Sequence, residues 1–408
     1  MTDGNHGASP GATPNLTDRP PEAKITPESI AAARAMIGNI LRPEGPYIQD
    51  VSVDSIKNFC NGTGDLNPLF RDLEYGRRSR WASLIGPPVL PMIYGYIGRS
   101  RWGFSGVHGF FAGNDWEFFR AWRPGDRINC IERVVGVEEK ESKLSGLMIL
   151  QYTEGLFLDQ QDRLMARVLG WCTRHERRAA RESGKSRAVE AYQYTVGQIE
   201  EIEAMALSEP EQIRGGKVRY WQDVSEGEEL TPIVRGPLTA TDLKGFHVGV
   251  GRGHTHGLVL QAARRHPGHY FRSKDAAGGI EYTGIGHTRG SSARQVGAPD
   301  AYDYGPGRTA WLSTLVTNWM GDAAFLKRLR AEIRKFNLVG DTTWCRGKVT
   351  RKYVQHGQAL VDIEIRAENQ RGEVTAPGLA TVMLPSRDIA HQPVVDGSRL
   401  ELGLPLIR

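Results

Sequence analysis

Apolar and polar positions alternate in two separate parts of the chain in the same way. The runs "INCIERVVGV", "LSGLMILQYTEGLF" and "LMARVLGWCTR" lie between residues 128 and 174, divided by polar turns near "EEKES" and "DQQD". The runs "TWCRGKVTRKY", "ALVDIEIRA" and "APGLATVML" lie between residues 343 and 384, divided near "VQHGQ" and "ENQRGE". Alternation with β-branched content and short polar breaks predicts antiparallel strands joined by hairpins. A helical period precedes each meander. "GRTAWLSTLVTNWM" places Leu312, Leu315, Val316 and Trp319 on one stripe, the pattern of a helix packed on a sheet. "VLPMIYGYIGRSRW", after Pro87 and Pro88, is the matching candidate in the first part. An earlier helix is expected over "TPESIAAARAMIGNIL", with Thr26 as N-cap, Pro27 at the first position and Ile30, Ala33, Ile37 and Leu41 inward.

The two parts are copies. A short helix expected from Asp54 runs through Phe59 and Cys60 into "NGTGD"; "TDLKGFHVGVGR" repeats it from Thr241. Phe59 pairs with Phe246, Gly62 with Gly249 and Gly64 with Gly251, at a constant offset of 187. Farther on, "RPGDRINCIERV" pairs with "LVGDTTWCRGKV". Each copy is a helix followed by an antiparallel meander, an α+β layer pattern. The expected organisation is a tail over 1–25, a first repeat over 26–178, a charged linker over 179–217, a second repeat over 218–388 and a tail over 389–408. The second copy also carries a Gly-rich insertion, residues 264–307, that serves either a site or a sheet edge.

Composition narrows the chemistry. The 408 residues are 39% hydrophobic and 24% charged, values of a globular protein with room for two cores. No apolar run is long enough to cross a membrane, and the opening residues lack the basic start and apolar core of a secretory signal. The four scattered cysteines form no C-x-x-C pair and suit buried, reduced thiols, so the expected location is the cytoplasm. A net charge of +5 helps an anionic ligand approach but gives no basic stripe for nucleic acid. "NGTGDLN" lacks the third glycine of a dinucleotide fingerprint and follows a helix, and no G-x-S-x-G elbow is present.

The stretch "FCNGTGDLNPLFRD" resembles the hydratase signature of the MaoC-like, R-specific enoyl-CoA hydratase family, roughly G-D-x-N-P-[LIV]-H. The resemblance covers about residues 45–385 and implies a tandem, double hot-dog: two long helices, each wrapped by an antiparallel sheet. It implies reversible addition of water to a 2-enoyl-CoA, with no cofactor beyond the CoA thioester substrate and no metal. It places the family Asp on Asp65 as base and the family Asn on Asn67; Phe70 stands where the family has His. Backbone N–H groups of Val89, Leu90 or Met92 are the expected oxyanion donors, because Pro87, Pro88 and Pro91 have none to give. The partner is an acyl-CoA, and the expected assembly is a homodimer or hetero-oligomer. An acyl-CoA-binding protein without turnover, or a thioesterase, are the alternatives.

The second copy keeps the site open as a question. Arg252, His254 and Gly257 stand at the positions of Asp65, Asn67 and Phe70. In "GRGHTHG", His254 and His256 are candidates for proton transfer with Asp303 as a carboxylate partner, for a metal together with His287, or for an ordinary hydrogen-bonded loop. Asp65 and Asn67 themselves are either catalytic groups or turn and capping groups.

Overall fold

The structure is a computed structural model that describes residues 15–41, 48–94, 103–142, 146–182, 189–251 and 255–389. Its strands in chain order are β1 (Ile40–Leu41), β2 (His108–Phe118), β3 (Asn129–Ser142), β4 (Gly146–Leu158), β5 (Leu164–His175), β6 (Glu229–Arg235), β7 (Tyr270–Ser273), β8 (Gly279–Tyr282), β9 (Phe325–Glu332), β10 (Thr343–Gln355), β11 (Gln358–Asn369) and β12 (Val374–Met383). All but β7 and β8 form one ten-stranded sheet in the order β1-β3-β4-β5-β2-β9-β12-β11-β10-β6. Read outward from the β2–β9 junction, both halves have the same order: β2-β5-β4-β3-β1 and β9-β12-β11-β10-β6. The expected α+β double hot-dog is present, and its two sheets join edge to edge.

The join is antiparallel, with Asp115 opposite Arg330 and Glu117 opposite Arg328. Arg328 grips the Asp115 carboxylate with two nitrogens, at 2.8 and 2.5 Å. Pairing β2 with β9 leaves neither repeat with an open strand edge at the centre.

A second contact lies at the helices. Val53–Thr63 crosses Ala240–Gly249 at Gly62 and Gly249, the two residues that sequence alignment makes equivalent. A Cβ on Gly62 would stand 2.7 Å from the Gly249 Cα, so the pseudo-twofold axis passes where only glycine fits. The caps also match across the repeat. Ser52 and Thr239 each form a capping box, two residues earlier than the starts expected at Asp54 and Thr241. Both starts move together, so the offset of 187 holds.

Three expectations need adjustment. The first helix ends at Ala35, because Gly38 turns the chain at φ 87° and Ile40–Leu41 pairs with β3; Ile37 is exposed rather than inward. The central helix of the second repeat, Gly305–Met320, forms and is buried almost throughout. Its first-repeat counterpart is described only to Tyr94, as a 3₁₀ turn over Leu90–Ile93, where Pro91 interrupts any regular donor ladder; the remaining residues of that expected helix lie outside the described residues. Finally, part of the expected N-terminal tail is packed: Ile25 is buried, its N–H bonds Glu176, and Arg272 N–H bonds the Thr17 carbonyl.

Candidate functional site

The loop "GTGDLNP" is built as cap, turn and cap. The helix Val53–Thr63 stops at Gly64, whose φ of 70° lies in the left-handed region. The Asp65 N–H then bonds the Cys60 carbonyl at 3.0 Å. Asp65 Oδ1 accepts the Asn67 N–H at 3.0 Å, and Asn67 Oδ1 accepts the Leu69 N–H at 3.0 Å, starting the short helix Pro68–Arg71. The other Asp65 oxygen, Oδ2, accepts the Thr314 hydroxyl at 3.0 Å, so the first-repeat loop is fastened to the central helix of the second repeat.

Asp65 is buried, and burial pushes its pKa above the ordinary carboxylate value more than these donors lower it. Behind the loop, Arg235 donates to the Gly64 carbonyl at 3.3 Å and forms a two-nitrogen pair with Glu209 at 2.5 and 3.1 Å. Asn318 donates to the same Glu209 at 3.1 Å. Glu209 comes from the segment expected to be a linker. One buried acid in an otherwise charged, exposed helix gave no signal of that role.

The front of the loop faces a narrow cleft of about 40 Å³ between the two repeats. Phe70, Trp81, Phe118, Trp122, Met320 and Phe325 supply apolar walls; Asn67, Arg120, Thr317 and Asp322 are its polar side chains. Phe70 fills the family His position as a buried wall residue. Asp65 does not line the cleft. Both Asp65 oxygens are engaged in these internal bonds, and Asn67 is the polar side chain of the loop that reaches the cleft.

Of the expected oxyanion donors, Leu90 N–H bonds the Pro87 carbonyl at 2.9 Å and Met92 N–H bonds the Val89 carbonyl at 3.1 Å. The 3₁₀ turn consumes both. Among the described residues, the Val89 N–H makes no such backbone bond. Trp122 pins the entry to this turn, receiving Gly86 N–H at its carbonyl and donating Nε1–H to Pro88.

Asp322, which follows the central helix, was not foreseen. Its Oδ2 accepts the Tyr75 hydroxyl at 2.6 Å, and that hydroxyl accepts the Gly216 N–H at 2.8 Å. Its own N–H bonds the Gly215 carbonyl at 3.0 Å, and its carbonyl accepts Trp81 Nε1–H at 2.9 Å. The sequence signal was a lone acid inside the apolar run "WMGDAAF".

Among the described residues, the second-repeat candidates His256, His287 and Asp303 lie in separate surroundings. Arg252 and His254 lie outside the described residues. His256 is exposed at the start of the helix Gly257–Arg265. Asp303 is buried in an ion pair with Arg308, at 2.8 and 3.0 Å. His287 Nδ1 lies 3.0 Å from the Tyr302 carbonyl, and its ring stacks on Tyr304 at 3.9 Å. Tyr304 also meets His247 Nδ1 at 2.9 Å, which fills the N-terminal end of the central helix with rings. Among the described residues no cluster of three or more His, Cys, Asp or Glu side chains has the arrangement of a metal site, and no helix is long and apolar enough to cross a membrane.

Comparisons agree with this architecture. Residues 36–168 match the family model described as the FAS1-like dehydratase domain region. A solved structure described as a MaoC-like dehydratase aligns with a TM-score of 0.61 at 15% identity, over 87% of this chain and 100% of that one. A Mycobacterium tuberculosis protein described as having a double hot-dog fold aligns with a TM-score of 0.53 at 11% identity, over 85% and 96%. A putative MaoC domain dehydratase from Chloroflexus aurantiacus aligns at 0.51 and 11%, over 86% and 96%. No curated protein sequence matches the chain. The chain is thus a double hot-dog protein with the fold of MaoC-like dehydratases, its first repeat matching a dehydratase-domain model.

Proposed function

We propose that this protein adds water to, or removes it from, an acyl thioester held in the cleft between the repeats, with a 2-enoyl-CoA and its 3-hydroxyacyl counterpart as the exchanged pair. The observation that carries the reading is the placement of the "GDLNP" loop. Asn67 and Phe70 form one wall of an apolar cleft whose other wall comes from the opposite repeat. Apolar walls suit an acyl chain, and a small number of fixed polar groups suit the thioester end. Loss of the enoyl-thioester absorbance on incubation with purified protein is the expected result. Inertness toward short, long, aromatic and polycyclic enoyl-CoAs alike would remove the catalytic reading.

A specific observation favours binding without turnover as the second reading. Phe70 replaces the family imidazole, and Asp65 spends both oxygens on internal bonds. Calorimetry separates the readings, since a pure binder takes up acyl-CoA without consuming it.

Arg120 is the cationic side chain on the cleft wall, and under this reading it meets the phosphates of CoA. Arg120→Ala is then expected to raise KM for CoA thioesters about tenfold, equivalent to about 1.4 kcal/mol. KM for thioesters of a short phosphate-free thiol should stay unchanged. Equal effects on both substrate types would place Arg120 elsewhere in the binding mode.

A further inference from the structure

We infer that Asp322 is the proton-transferring group of the cleft, in place of the motif carboxylate Asp65. This rests on the hydratase reading and assigns its chemistry to a residue outside the "GDLNP" loop. Three observations converge on it. Asp322 is the one acidic residue among those lining the cleft, whereas Asp65 is absent from the lining. It is 6% exposed, and among the described residues its buried Oδ1 has no hydrogen-bond partner. Most buried polar side-chain atoms have a partner, and of the polar side chains that line the cleft Asp322 is the carboxylate with an oxygen left open.

The rest of the group is held still. Tyr75 fixes Oδ2, Gly215 holds the backbone N–H and Trp81 holds the carbonyl. Tyr75 is itself oriented by Gly216 N–H, and a Cβ on Gly215 would stand 2.6 Å from the Tyr75 hydroxyl, so the Gly215–Gly216 pair lets the loop close over this contact. Preorganisation of this kind is what a transfer group needs, because its orientation is set before substrate arrives.

The step balances with one carboxylate. Ionised Asp322 takes a proton from water as the water oxygen bonds Cβ of the enoyl thioester. The C=C electron pair moves to the thioester as an enolate, and the resulting carboxylic acid returns the proton to Cα. Dehydration runs the same sequence backwards. No oxidant, reductant or further reactant enters.

Burial raises the pKa of Asp322 above the ordinary carboxylate value, partly offset by the Tyr75 hydrogen bond. Both directions of the reaction start from the ionised acid. Activity therefore falls as pH drops through this raised value. The other ionisable groups packed around it are Arg80, which donates to the Ala323 carbonyl, Arg214 beside Gly321, and Arg120 on the cleft wall.

The test uses the full chain and an enoyl-CoA that the wild type turns over. Asp322→Asn keeps an acceptor for Tyr75 and is expected to fold, with kcat lower by about 10²–10⁴-fold and KM little changed. Tyr75→Phe removes the donor that favours the ionised form, so the acid limb of kcat/KM should move to higher pH. An Asp322→Asn protein within about threefold of wild-type kcat, or a Tyr75→Phe limb that stays in place, overturns the assignment while leaving the hydratase reading intact. A wild type inert toward every enoyl thioester overturns both.

Discussion

Asp303→Ala is expected to destabilise the protein by about 3–5 kcal/mol, as removal of one partner from a buried ion pair generally does. Both side chains of the Asp303–Arg308 pair are 2% exposed. Arg308 has two further acceptors, the Lys335 and Thr375 carbonyls at 2.8 and 3.2 Å, but neither carries a full charge. Truncating Asp303 thus leaves a buried guanidinium at the start of the central helix without its ion-pair partner. The end of a helix where N–H dipoles point outward is unfavourable for a cation, which adds to the loss. Chemical unfolding should show the decrease, and the double change Asp303→Leu with Arg308→Met should recover much of it, because neither charge then remains buried. If Asp303→Ala unfolds within about 1 kcal/mol of wild type, the pair is not what holds this corner, and Asp303 returns as a candidate partner for the histidines of the second repeat.

The contrast between Asp303 and Asp322 shows where sequence reading reaches and where it stops. Both are isolated acids near the ends of one helix, and both are buried. Arg308, which neutralises Asp303, is five residues away and was readable in principle as a helix neighbour. Tyr75, which leaves one oxygen of Asp322 open, is 247 residues away and becomes its neighbour only when the two repeats dock. A similar separation, 249 residues, hid Thr314 from the reading of Asp65.

What the chain did disclose was its duplication, because equivalent glycines, caps and turns recur at a fixed offset and each has a backbone reason. The six strands of the two meanders were legible from alternation. The junction strands β2 and β9 were not singled out. Their charged residues, Asp115, Glu117, Arg328 and Arg330, pair across the seam rather than marking a solvent face, so the alternation there does not separate core from surface. The loop motif was found for a sound reason, but its acid turned out to face inward.

The largest packing effect is expected from Gly62→Val. A Cβ there would lie 2.7 Å from the Gly249 Cα and 2.8 Å from the Gly245 carbonyl oxygen. Both are backbone atoms of one helix, so no side chain can swing aside to make room. Asn58 binds the same helix more firmly, donating to the Val248 and Gly249 carbonyls at 3.1 and 3.3 Å. The two helices must therefore separate, at a cost near the upper end of the roughly 1–3 kcal/mol typical of overpacking. Turnover should fall as well, since the loop that carries Asn67 into the cleft starts two residues after the crossing, at Gly64. Gly245→Ala is the control. A Cβ there meets nothing within 4 Å, and alanine favours a helix interior over glycine by up to about 1 kcal/mol, so that variant should be neutral or slightly more stable. Gly62→Val unfolding at the wild-type denaturant concentration would mean that the helices do not cross at these glycines, and the placement of the pseudo-twofold axis would be wrong.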